Sequence, residues 1–303
     1  MAQRTGIGVL AALGTELLYG CSFAFTKNIT GTIDPFTLLG WRFVTALAAL
    51  LVLMALRVIR VRLTRATIRP LLVLAVFQPI LFYSAETFGV MHTTASESGL
   101  IIAAIPVGIL ITSTLVLKRR PTRWQVVGIA VTLAGVVVTV VAGGLSARFS
   151  PFGYLMLFGA VVSFSLFAAF ADRFAGAASD VEKTFVMVLT GAVLFGTIAL
   201  ARHAAAGTLG ELARLPLIRP DFALAVGYLA LGSTIGAFFL QHLAIGAIGS
   251  TRFSTFIGIT TLATLATGAV FLGERLGWAQ LLGGAVILAG VYVANVRAHG
   301  GNP

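Results

Sequence analysis

The 303-residue chain is 58% hydrophobic and only 10% charged. Few soluble cores could bury that much apolar surface, whereas a bilayer can: about 20 apolar residues carry a helix across its hydrocarbon, and helices satisfy their own backbone groups there. The net charge of +11 would suggest nucleic acid as a partner for a soluble protein. Here the charges sit at the ends of apolar segments, where they set topology. No segment is long or polar enough for a soluble domain, which excludes catalysis in one.

Ten apolar segments are predicted at 6–27, 36–56, 69–91, 94–117, 124–142, 151–172, 181–202, 221–244, 250–272 and 277–297. The expected fold is an all-α polytopic membrane protein of ten transmembrane helices. With a cytoplasmic N-terminus, the first half places ten Lys/Arg inside: Arg4, Arg57, Arg60, Arg62, Arg65, Arg69, Lys118, Arg119, Arg120 and Arg123. Only Lys27, Arg42 and Arg148 then lie outside, as the positive-inside rule requires. The second half is balanced, with Arg173, Lys183, Arg252 and Arg297 inside and Arg202, Arg214, Arg219 and Arg275 outside. Ten spans put both termini inside, at a cell inner membrane. The 34 glycines suit close helix packing in lipid. Cys21 is the one cysteine, so no intramolecular disulfide forms.

Segment 1 carries Glu16 about halfway along, followed by Tyr19, and ends at Lys27, so it is not a cleaved signal peptide. A lone carboxylate is costly in hydrocarbon, so Glu16 is expected to face the bundle interior. There it would couple protons, meet a substrate amine, or fix packing through an interhelical hydrogen bond. Trp41 and Arg42 open segment 2 and read as interfacial anchors, the arginine snorkelling. The alternative gives Arg42 a substrate carboxylate to attract at the cavity mouth. In segment 3, Gln78, Phe82 and Glu86 are spaced by four and share a helical face, with Tyr83 beside Glu86. Pro79 removes a backbone hydrogen bond and kinks the helix. An acid, an amide and aromatics at a kink suit the wall of a cavity for a zwitterionic, partly apolar ligand.

Pro106 bends segment 4, where Glu97 sits near a helix N-terminus. In segment 6, Ser163, Phe167 and Phe170 form a stripe with Phe164, read as packing or a cavity wall. Segment 8 supplies Phe238, Gln241 and His242 near its cytoplasmic end, and a Gly232/Gly236 pair at helix-contact spacing. Arg252 opens segment 9 as Glu97 opens segment 4, and each is a candidate gate latch. Glu274-Arg275 lies in the tight turn before segment 10 and reads as structural.

Sliding the chain by 155 residues aligns Leu133–Val138 (LAGVVV) with Leu288–Val293 (LAGVYV). The register holds without a gap back to Glu86 opposite Gln241, with 14 identities over 53 positions. Gln125 meets Gln280, Gly128 meets Gly283, Gly135 meets Gly290 and Arg120 meets Arg275. The chain divides into repeats at 1–148 and 149–303, each of five spans. Five is odd, so the second copy enters from the opposite side, the inverted topology of many secondary transporters.

Leu17–Phe25 (LLYGCSFAF), Pro35 with Trp41-Arg42-Phe43, Ala104-Ile105-Pro106-Val107, and Leu272-Gly273-Glu274-Arg275-Leu276 followed by Gln280, Gly283 and Leu288–Val291 occur in that order. Together they resemble the EamA branch of the drug/metabolite transporter superfamily over nearly the whole chain. Within it the overall likeness is to YddG-type aromatic amino-acid exporters. Two departures stand out: Lys118-Arg119-Arg120 where Glu-Arg is usual, and Thr261 where a proline is usual. The resemblance implies inverted repeats and export of small metabolites.

The expected function is secondary transport of small amphipathic metabolites, amino acids foremost, by alternating access. The binding set is Glu16, Tyr19, Trp41, Gln78, Phe82, Tyr83, Glu86, Ser163, Phe167, Phe170, Phe238, Gln241 and His242, with Pro79 and Pro106 as hinges. Efflux of cationic drugs is the alternative, through Glu16 and cation–π contacts. Phosphorylated ligands would want several cavity Lys/Arg, and the mid-span regions offer almost none. No P-loop supports ATP hydrolysis. No HExxH, cysteine/histidine metal cluster or Ser/His pair supports an enzyme, and a mid-span acid argues against a channel. Neither metal nor cofactor is expected. The partners are a small-molecule substrate and the lipid bilayer, not nucleic acid. With no oligomer signal, a monomer is the expectation.

Overall fold

The computed structural model describes residues 2–117, 122–144, 150–275 and 277–296. Lys118, Arg119, Arg120, Arg148, Leu276, Arg297 and His299 lie outside these described residues. Among the described residues the regular structure is helical.

Eight helical stretches are long and apolar enough to cross a membrane: Thr5–Thr30, Pro35–Ala55, Arg65–His92, Ala95–Thr112, Pro151–Arg173, Asp180–Ala205, Pro220–Ile248 and Ser250–Leu272. They coincide with eight of the ten expected segments. The other two segments fall on helices whose described apolar stretches are shorter, Arg123–Thr139 and Trp278–Val293.

The local chemistry explains where the helices start and stop. Helix α1 runs Ala2–Thr30 and α2 runs Pro35–Ala55. The Asp34 side chain accepts from the Thr37 N–H at 3.2 Å ahead of Pro35, a proline at a helix start. Span 3 is α3 (Arg65–Ala75), a wide turn over Val76–Leu81, and α4 (Phe82–His92). Inside that turn Gln78 is extended (φ −142°, ψ 117°) ahead of Pro79, so the proline expected to kink the helix sits where it breaks. Span 4 is α5 (Ala95–Ile102) and α6 (Ile105–Leu117), interrupted just before Pro106. Thr94 and Glu97 form a capping box at its start.

Helices α7 (Arg123–Gly144), α8 (Pro151–Arg173) and α9 (Asp180–Ala205) follow. A short helix, α10 (Leu209–Ile218), occupies a stretch expected to be loop. Span 8 is α11 (Pro220–Gly227), a wide-turned segment Tyr228–Gly236, and α12 (Ala237–Ile248). It departs from α geometry as span 3 does, without a proline. Gly249 (φ +76°) ends α12 and Gly273 (φ +63°) ends α14, both in backbone that favours glycine. Span 9 is α13 (Ser250–Phe253), a tight 3-10 turn and α14 (Ile257–Leu272); α15 is Trp278–Val296.

Helix α1 packs against α12 and α14, while α8 packs against α4 and α6. α2 pairs with α9, and α7 with α15. The last pair is held backbone to backbone. A Cβ on Gly135 would lie 2.6 Å from the Ile287 nitrogen and 2.8 Å from the Gly283 carbonyl oxygen. One on Gly290 would lie 2.5 Å from the Thr132 nitrogen and 2.8 Å from the Gly128 oxygen. Glycine is required on both helices at this crossing. The Gly232/Gly236 pair is looser and meets only Leu18 side-chain atoms, at 3.4 Å or more.

Gly135→Val is expected to destabilise the protein by about 1–3 kcal/mol, read as a lower melting temperature in detergent. Gly6→Ala, where a Cβ meets nothing within 4 Å, is expected to be neutral or slightly stabilising.

Candidate functional site

A small cavity lies between α1, α4, span 4, α8 and α14. Its walls are Glu16, Tyr19, Ser22, Phe23, Phe82, Tyr83, Glu86, Ile102, Ile105, Phe164, Ile257 and Thr260. Its volume is about 30 Å³, on the order of two water molecules. No metabolite fits without movement of the lining helices.

Two buried carboxylates face it. Thr260 donates its hydroxyl to Glu16 Oε2 and also lies 2.8 Å from the Glu16 carbonyl oxygen. Glu16 Oε1 is buried with no hydrogen-bond partner. Glu86 is equally buried, with the Thr87 hydroxyl 3.4 Å from its Oε2. Beside these acids, three helices meet in a closed ring of hydrogen bonds. Tyr19 donates to Gln241 Oε1, Gln78 Nε2 donates to the Tyr19 oxygen at 3.3 Å, and Gln241 Nε2 donates to Gln78 Oε1 at 3.2 Å. The extended backbone at Gln78 brings its amide into this ring. The aromatic wall is one cluster: Phe82 packs on Phe164 (centroids 5.3 Å apart) and on Tyr83 (5.1 Å). Tyr83 packs in turn on Phe43 and Phe238, and its hydroxyl has no hydrogen-bond partner.

Of the expected binding set, Glu16, Tyr19, Phe82, Tyr83 and Glu86 line the cavity. Gln78 and Gln241 reach it through Tyr19, and Phe238 stands behind Tyr83. The rest do not meet there. Trp41 donates its indole N–H to the Leu212 carbonyl at 3.2 Å, tying span 2 to α10. Ser163 donates to the Phe77 carbonyl at 2.9 Å, beside the break in span 3. Phe170 stacks on Phe77 with centroids 5.5 Å apart. Phe167 is buried between Phe164 and His242. His242 is buried away from the cavity, its Nε2 3.1 Å from the Met187 sulfur.

Arg42 corrects the sequence reading. It is 1% exposed rather than snorkelling to an interface. Its Nε donates to Thr234 Oγ1 and its Nη2 to Ser233 Oγ, each at 2.7 Å, and its guanidinium carbon lies 4.2 Å from the Tyr83 ring centroid. Its position seven residues past Pro35, about 10 Å into the helix, is compatible with either orientation, and the Ser233 and Thr234 hydroxyls decide it. Thr260 was also missed; it forms a polar stripe with Thr264, spaced by four in an apolar helix.

The gate candidates separate. Glu97 completes the α5 capping box and accepts from Gln280 Nε2 at 2.7 Å. Arg252 is exposed. Glu274, read as structural, accepts from the N–H groups of Ala95 and Ser96 at 2.8 Å each, so the turn after span 9 caps the start of span 4.

Eight helices long and apolar enough to cross a membrane, broken spans and buried acids around an internal cavity are the features of a polytopic membrane protein. The family model for EamA-like transporters matches twice, over residues 6–141 and 151–296. The chain belongs to the EamA-like transporter family, within the drug/metabolite transporter superfamily. It is 33% identical to the uncharacterised transporter YcxC of Bacillus subtilis strain 168, over 95% of this chain and 92% of that one. It is 28% identical to a probable terminal-alkyne amino-acid exporter of Streptantibioticus cattleyicolor, over 70% of this chain and 68% of that one. A crystal structure 22% identical in sequence shares the fold, with a TM-score of 0.64 over 99% of this chain and 98% of its own. The family and these relatives are transporters, not enzymes.

Replacing Glu274 with Ala leaves two N–H groups at the start of α5 without their acceptor. The expected loss is about 0.5–2 kcal/mol, measured as earlier thermal unfolding in detergent, with Glu274→Gln intermediate.

Proposed function

We propose that this protein is a secondary transporter that exports small amphipathic metabolites, aromatic or neutral amino acids foremost, by alternating access. The observation that carries this reading is the cavity itself: two buried carboxylates, a tyrosine–glutamine ring and an aromatic wall enclosed by helices from both halves of the chain. The aromatics hold the apolar part of the substrate. Glu16, Glu86, Gln78 and Gln241 hold its polar head.

Two similar halves related by inverted topology, 1–148 and 149–303, account for the movement. The double family match supports this division, as does the helix pairing, in which α1 meets α12 and α14 as α8 meets α4 and α6. Spans 3, 4 and 8 are interrupted within their length, around Pro79 and Pro106 in the first half, and span 9 near its start. Those breaks are where bending opens one side and then the other. The distribution of Lys and Arg favours cytoplasmic termini, and the inner membrane transporter YhbE of Escherichia coli, 31% identical over 45% of this chain and 44% of its own, supports an inner-membrane location. The amino-acid exporter among the relatives supports the substrate class.

The unpartnered Glu16 Oε1 favours a second reading, efflux of organic cations. Counterflow of radiolabelled phenylalanine, tryptophan and neutral amino acids into proteoliposomes separates the two. Saturable counterflow above protein-free vesicles is expected. Movement of cationic dyes alone would transfer the function to drug efflux.

Glu16→Gln and Tyr83→Ala are each expected to cut counterflow about tenfold or more, the loss of one buried polar or aromatic contact. Membrane insertion should be unchanged. Wild-type rates in both would remove these residues from the site.

A further inference from the structure

Arg42 is a fully buried cation without an anion in contact. A guanidinium carries five N–H donors. Two are used here, on the Thr234 and Ser233 hydroxyls of the wide-turned segment of span 8. Among the described residues no carboxylate lies within the 4.0 Å of an ion pair with it. Glu86 acts on it only through space. Two neutral hydroxyls are a poor return for burying a full charge, whereas a carboxylate taking the fork in bidentate fashion is the geometry this side chain suits best.

The Tyr83 ring links Arg42 to the cavity: it is part of the cavity wall and lies 4.2 Å, centroid to guanidinium carbon, from Arg42. The Tyr83 hydroxyl has no hydrogen-bond partner. Packing against Phe43, Phe82 and Phe238 and the guanidinium contact hold the ring beside Tyr19 and Gln78.

We propose that Arg42 is the receptor for a carboxylate on the transported molecule, and that Tyr83 is the ring covering it until that carboxylate arrives. The Ser233 and Thr234 hydroxyls hold the fork in its orientation. Glu16, whose free oxygen faces the same cavity, is left for the amine. The proposal rests on the amino-acid reading above and adds which residue sets selectivity for the acid end.

Three probes that share a phenyl group test it: L-phenylalanine, 3-phenylpropionate (acid without amine) and phenethylamine (amine without acid). Binding to the purified full chain is measured by calorimetry for wild type, Arg42→Met and Arg42→Lys. Arg42→Met is expected to weaken phenylalanine and phenylpropionate about tenfold or more, the loss of a charge-assisted pair. Phenethylamine should be unchanged, and Arg42→Lys intermediate because it keeps the charge and loses the fork. If Arg42→Met does not fold, Arg42→Lys and a Ser233→Ala/Thr234→Val double variant give the same comparison: weaker acid probes, unchanged amine.

Equal phenylalanine binding in wild type and variants would overturn the role of Arg42 and leave the amino-acid reading standing. Equal loss of all three probes would make Arg42 a purely structural tie between spans 2 and 8. Wild-type binding of phenylpropionate but not phenylalanine, lost in Arg42→Met, would overturn the amino-acid reading and keep the carboxylate receptor. Wild-type binding of neither acid probe would overturn the receptor.

Discussion

A bilayer offers no hydrogen bonds, and that constraint governs the whole molecule. Each polar side chain inside the spans has to find its partner on another part of the protein. Most do. Threonine hydroxyls fold back onto their own helices or reach across, as Thr264 does to the Gly20 carbonyl at 3.1 Å. Tyr19, Gln78 and Gln241 satisfy one another in a ring that three helices must cooperate to close. Among the buried groups without a hydrogen-bond partner, Glu16 Oε1 and the Tyr83 hydroxyl belong to residues of the cavity wall, while the Thr26 and Thr132 hydroxyls lie elsewhere.

Sequence patterning carried the coarse architecture because the bilayer imposes a one-dimensional rule: apolar runs of a set length become helices. It also found the break in span 3, since Pro79 cannot donate to the helix ladder. It did not find the corresponding irregularity in span 8, where no proline marks it, or the short helix α10, which is too brief and mixed in composition to stand out. At the cavity, Glu16 and Glu86 were legible as costly charges in apolar runs. Arg42 was misread because depth along a helix does not say which way a long side chain turns. Snorkelling outward and burial inward look identical in sequence, and only the Ser233 and Thr234 hydroxyls, nearly two hundred residues away, decide between them. Ser163, Phe170 and Trp41 have the right chemistry for a binding wall but are turned toward neighbouring helices, an orientation that tertiary packing sets and local spacing does not.

The internal similarity also has a physical origin. It is densest in Gly128–Val138 and Gly283–Val293, on α7 and α15, which are each other's most extensive partners. Gly135 sits against Gly283, and Gly290 against Gly128. A contact in which each helix meets its own counterpart places the same demand on both, so the same residues answer it twice. The helices that border the cavity answer different demands in the two halves, with Glu86 opposite Gln241 and Gln78 opposite Ser233, and there the likeness thins.

The α7–α15 crossing has a mechanical consequence. Side chains give a packed interface slack, because rotamers can shift as surfaces slide. Here main chain lies on main chain, leaving no room for a methyl group at Gly135 or Gly290. Neither helix can translate along the other without driving a neighbouring Cβ into a peptide plane. The crossing therefore behaves as a fulcrum, about which the two ends of the chain can tilt but not slip.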